Sequence, residues 1–65
     1  MQNITIIQEQ TWFGKTTKTS FDYAEVSDFV LNQMRELLRA YVDADELDWF
    51  IINTSDGKLI DAYRK

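Results

Sequence analysis

The chain has no cysteine and no histidine among its 65 residues, and only two glycines. Without cysteine, no disulfide can staple the fold. Without either residue, the ordinary zinc, copper and haem sites are excluded. The commonest general base and the strongest nucleophile of enzyme chemistry are missing with them. Gly14 and Gly57 stand alone and far apart, so no glycine-rich phosphate loop can form. Carboxylate pairs can still catalyse reactions such as glycoside hydrolysis, but they need a cleft between them. A chain this short has little depth to make one. The expectation is a non-catalytic protein that needs no cofactor and holds no metal. No stretch approaches the roughly 20 apolar residues that cross a bilayer. The opening Met1-Gln2-Asn3-Ile4-Thr5-Ile6-Ile7 lacks the basic start and long apolar run of an export signal. A cytoplasmic setting with no membrane contact is therefore expected.

What the chain does have is aromatic residues and acid. A single domain, 1–65, is all this length accommodates, and folds of this size bury only about 60% of their unfolded surface. With disulfides and metals gone, stability must come from a dense core or from burial against a second chain. Nine aromatics support the first route and leave the second open. Formal charge is −4, and it is unevenly spread. From Asp22 to Asp48, eight acids face only Arg35 and Arg39, a net of −6, whereas the rest of the chain has three acids and five bases, a net of +2. Such a distribution repels polyanions, which disfavours direct nucleic-acid binding, and attracts basic partners.

Residues Ile4 to Phe13, rich in isoleucine, threonine and aromatics, predict a strand with Ile4, Ile6 and Trp12 on one face. Gly14-Lys15 offers a turn. Thr16 to Ala24 predicts the returning strand, with Thr17, Thr19, Phe21 and Tyr23 sharing a face. Ser27 is a good helix N-cap, and Asp28 behind it suits the positive end of the helix dipole. Val30, Met34, Leu37, Leu38 and Tyr41 then follow the spacing of one helical face, which predicts a helix over 28–42 with that stripe as its buried side. Arg35 and Arg39 lie mostly away from the stripe, in the last turns. After an acidic connector, Trp49 to Thr54 and Leu59 to Arg64 predict a second hairpin. Asp56-Gly57 is the signature of a type I′ turn, which would set Thr54 opposite Leu59, Ile52 opposite Asp61 and Phe50 opposite Tyr63. The predicted class is α+β: a four-stranded antiparallel sheet in ββαββ order with one helix on one face.

Two clusters carry binding chemistry. The first is the connector, with Asp43, Asp45, Glu46 and Asp48. Acids just beyond a helix C-terminus oppose the dipole and repel one another, so keeping them costs stability. They serve either as a docking patch for a basic surface or as a solvated, solubilising link. Calcium is disfavoured, because the glycine and terminal glutamate of an EF-hand loop are absent from the required positions. Asp22, Glu25 and Asp28 are candidates for the same acidic face. The second cluster is Trp12, Phe13, Lys15 and Lys18 on the first hairpin. It either stacks bases or a protein partner, or it closes one end of the core. Trp49 is ambiguous in the same way, as core or as an interface anchor.

The run Tyr23-Ala24-Glu25-Val26-Ser27-Asp28 resembles a layout found in very small phage-encoded proteins, as do Trp49-Phe50-Ile51-Ile52, Ser55-Asp56-Gly57-Lys58 and the closing Tyr63-Arg64-Lys65. Anti-CRISPR proteins and a phage inhibitor of bacterial RNA polymerase belong to that group. The resemblance covers about residues 20 to 65 as a layout, with no functional residue carried over. It implies a stoichiometric inhibitor or adaptor that occupies a host protein. Together with the acidic charge, this leads to the expectation of docking on a basic, nucleic-acid-handling host protein. The alternatives are a homodimeric structural or assembly subunit and a weak single-stranded nucleic-acid binder acting through the first hairpin.

Overall fold

The computed structural model describes all 65 residues, Met1–Lys65. Strands β1 (Gln2–Trp12) and β2 (Lys15–Val26) come first, then helix α1 (Asp28–Asp43), then β3 (Trp49–Thr54) and β4 (Leu59–Arg64). The strands form one antiparallel sheet in the order β2-β1-β3-β4, so the two hairpins meet edge to edge through β1 and β3. This is the α+β, ββαββ arrangement predicted from the sequence.

Residues directly opposite each other on neighbouring antiparallel strands share a face. Ile4, Ile6, Phe50 and Ile52 therefore lie together on the helix side, where all four are buried. Leu31, Leu38 and Val42 descend on them from α1, and Val26 and Leu47 close the two ends of the core. The other face of the sheet, with Ile7, Trp49, Ile51 and Ala62, is not covered by any element.

The buried side of α1 keeps only part of the predicted stripe: Leu38 is buried and Met34 packs against the core, but the side is rotated toward Leu31 and Val42. Leu31, Leu38 and Val42 point inward, and Val30, Leu37 and Tyr41 are exposed. The shift has a polar cause. Asp61 on β4 is only 8% exposed, and both arginines of α1 reach it: Arg35 Nε donates at 3.2 Å, and Arg39 donates through Nε at 3.2 Å and Nη2 at 2.8 Å. The arginines thus turn toward the sheet instead of standing away from it. Arg39 also lies 4.7 Å above the ring of Tyr63. Tyr63 in turn donates its hydroxyl to Asp43, and Lys65 pairs with Asp45 at 2.8 Å. A row of polar contacts therefore fastens β4 along one flank of α1. The hydrogen bond from Arg39, seconded by that from Arg35, holds the Asp61 carboxyl below its ordinary pKa against the opposing effect of burial.

The helix starts at Ser27, whose Oγ accepts from the Val30 amide at 3.2 Å. It ends in a left-handed residue, Asp45 (φ 62°), with the Glu46 amide donating to the Tyr41 carbonyl at 2.9 Å. This is the Schellman arrangement with aspartate where glycine is usual. Aspartate tolerates that conformation better than most residues.

Both turns differ from expectation. The type I′ turn lies in the first hairpin: Trp12 opposes Lys15, and Phe13 (φ 51°) and Gly14 (φ 79°) form the two-residue loop. At the second turn only Gly57 has positive φ (94°), and its amide donates to the Thr54 carbonyl at 2.9 Å. Asp56 takes ordinary backbone angles there and bonds the Thr54 hydroxyl instead. The longer loop brings an irregularity into the register, so Asn53 and not Thr54 opposes Leu59.

Candidate functional site

β3 pairs with β1 only from Ile4 to Glu9, so Gln10–Trp12 and Lys15–Thr17 extend past it as a two-stranded ribbon. The ribbon helps draw the molecule out to 37 Å along its longest axis against 19 and 15 Å across. At its tip, Phe13 is fully exposed and Trp12 is 54% exposed, with ring centroids 6.4 Å apart. Phe13 is poorly matched to its place on two counts. A bulky side chain in the left-handed region costs about 1–2 kcal/mol, and an aromatic ring gains nothing in open water. Asparagine, aspartate and glycine are the residues that suit this turn position. Phe13→Asn should therefore stabilise the fold by about 0.5–1 kcal/mol after loss of the Trp12 contact. Thermal unfolding by circular dichroism should show Tm rising by a few degrees.

The acidic connector sits at the base of this ribbon. The Asp48 amide donates to the Glu9 carbonyl at 2.8 Å, and its carboxylate accepts from the Thr11 hydroxyl at 2.7 Å. Trp12 belongs to the helix side of the sheet, and with Gln8, Gln10, Tyr41, Glu46 and Leu47 it lines an open hollow. Aromatic tip and acidic connector thus form one continuous end of the molecule. The spacing of Tyr41 predicts a core residue, and nothing local in the sequence signals its place at this hollow. The separate acids differ in their freedom. Asp43 accepts from the Tyr63 hydroxyl and Asp45 from Lys65, which raises the pKa of the tyrosine and of the lysine above their ordinary values. The Glu46 carboxylate makes no side-chain bond.

The remaining predicted residues do not join this end. Asp28 occupies the first turn of α1, Glu25 (φ 54°) lies in the bulge just before it, and Asp22 accepts from Thr5 on the uncovered face. The 16-residue helix, about 24 Å long, separates them from the connector. The expected single acidic face is therefore two acidic groups at opposite ends. Trp49 also parts from Trp12: it is half-buried on the uncovered face, with the Lys18 ammonium 5.8 Å from its ring. The hairpin cluster is divided accordingly, with Lys15 beside Trp12 and Lys18 on the other side of β2.

No three acidic side chains converge closely enough to hold a metal ion. No helix is long and apolar enough to cross a membrane. Comparison with protein-family models, with curated proteins and with solved structures finds no match.

Proposed function

We propose that this protein is a non-catalytic binding protein that docks the ribbon end of the molecule on a basic protein surface in the cytoplasm. The observation that carries the reading is the fully exposed Phe13 in a left-handed turn position beside Trp12, next to the connector acids. A ring held at a conformational cost, in water, is readily understood if a partner's pocket receives it. Glu46, Asp45 and Asp48 then face the lysines and arginines around that pocket. Such charge complementarity speeds encounter and selects the partner, while the buried aromatics supply the tight contact. Basic surfaces of this kind are typical of proteins that hold phosphate backbones. The reading is thus that of a stoichiometric inhibitor or adaptor acting on a nucleic-acid-handling protein, in the manner of the small phage-encoded proteins its layout resembles. Asp22, Glu25, Asp28 and Trp49 lie away from this surface and have no part in it.

The test is capture from a bacterial lysate at low salt with the tagged, full chain. A basic, nucleic-acid-binding protein should be retained and should elute as salt is raised. Trp12→Ala lies outside the core and should fold normally, yet capture should fall about tenfold or more. Retention of no such protein, or equal retention by Trp12→Ala, would overturn the proposal.

A further inference from the structure

Helix α1 has more apolar surface than its own sheet can cover. At about 100° per residue, its five charged residues, Asp28, Arg35, Glu36, Arg39 and Asp43, fall within an arc of roughly 100°. Arg35 and Arg39 fix that arc toward β4 through Asp61. The rest of the circumference carries no charge. One part of it, Leu31, Leu38 and Val42, is spent on the core. The flank turned toward β2 bears Val30, Leu37 and Tyr41, and Phe29 stands on the outer side, 73% exposed.

The sheet shows the matching deficit. α1 covers the helix side of β3, β4 and the inner part of β1, where Ile4 and Ile6 are buried, and leaves most of the helix side of β2 without a covering element. Phe21 and Tyr23 belong to that face, since they oppose Ile6 and Ile4, and they remain 42% and 40% exposed. Their neighbours along β2 on this face, Thr17 and Thr19, are uncharged. The bare face of β2 needs a helix with an uncharged side, and the chain owns a helix whose uncharged side is partly bare.

We infer that the protein forms a two-fold dimer in which α1 of each copy covers the exposed helix side of β2 in the other. The two helices then form a single layer between two sheets. Leu37 with Val30 and Tyr41 meets the partner helix, and Phe29 meets the partner sheet. One contact satisfies both surfaces on both copies, as an isologous interface requires. The area is adequate. At roughly 150–250 Å² for a whole aromatic side chain, the exposed parts of these six residues offer on the order of 500 Å² per copy. With the neutral residues around them, that approaches the ~800 Å² per partner of a standard stable interface. The partner is not the basic protein proposed above, because this surface is largely uncharged, with Glu36 at its border beside Phe29. The ribbon tip and Glu46 stand at the end of the helix layer, where Tyr41 borders both the contact and the hollow beside Trp12.

Sedimentation equilibrium of the full chain should give twice the 7.7 kDa chain mass, and Tm should rise with protein concentration. Leu37→Glu and Phe21→Glu each place a carboxylate in the contact and should raise the dimer dissociation constant about thirtyfold or more. Both positions are exposed in the single chain, so far-ultraviolet circular dichroism should stay unchanged. Ser20→Glu, on the opposite face of β2, should leave the dimer intact. A monomer at all concentrations would overturn the inference. So would a dimer that survives Leu37→Glu and Phe21→Glu, which would place the contact at the β2 edge or on the uncovered face.

Discussion

Phe50→Ala should leave most of the chain unfolded at room temperature. Phe50 has no exposed surface, sits at the centre of the sheet opposite Gln8 and Tyr63, and packs its ring 6.5 Å from that of Tyr63. Removing a buried phenylalanine costs about 3–5 kcal/mol, from lost transfer free energy and from the cavity left behind. A 65-residue domain has roughly 3–10 kcal/mol to lose. No disulfide or metal site holds the remainder together. Urea unfolding followed by tryptophan fluorescence should show the midpoint collapsing toward zero denaturant. A midpoint close to that of the wild type would mean that the core does not centre on Phe50.

Asp61→Ala should be the next most damaging change, at about 2–3 kcal/mol. The substitution removes the one acceptor that Arg35 and Arg39 share and leaves two guanidinium groups beside the core. Their partial exposure, 39% and 43%, lets water replace some of the loss, which keeps the cost below that of a fully buried pair. The same group sets an acid limit on stability. Because the folded carboxyl titrates below its unfolded value near 3.8, its contribution is fully present above about pH 4. It is then lost as pH falls through the lower, folded value. Urea titrations at a series of pH values should show the wild type losing stability more steeply than Asp61→Asn below pH 4. Parallel slopes for the two proteins would remove Asp61 from the acid transition.

The five elements were legible because each carries a strong local signal. β3 and β4 match their predicted bounds, and Ser27 caps α1 as its side chain and position suggest. The phase of α1 was not legible, for a physical reason. The uncharged arc is so wide that positions 30, 34, 37, 38 and 41 and positions 31, 34, 38 and 42 both read as a stripe. Choosing between them requires knowing that Asp61, far along the chain, draws Arg35 and Arg39 inward. The turns show the same dependence on context. Asp56-Gly57 has the better type I′ sequence, yet the pairing of Trp12 with Lys15 forces that geometry on Phe13-Gly14. The acids were the least legible part of the candidate site. Asp22 to Asp48 looks continuous in sequence, and a helix separates its two ends in space. What remains of that expectation is its second half: the connector, joined by Trp12 and Phe13 at the ribbon.

Phe13→Asn tests the central claim most directly, through thermal unfolding and lysate capture measured on the same purified variant. If the ring is held in an unfavourable turn in order to engage a partner, the variant should melt at higher temperature than the wild type. It should also retain at least tenfold less of the captured basic protein. A variant that melts higher and captures equally well would show that the exposed aromatic tip is not the docking element.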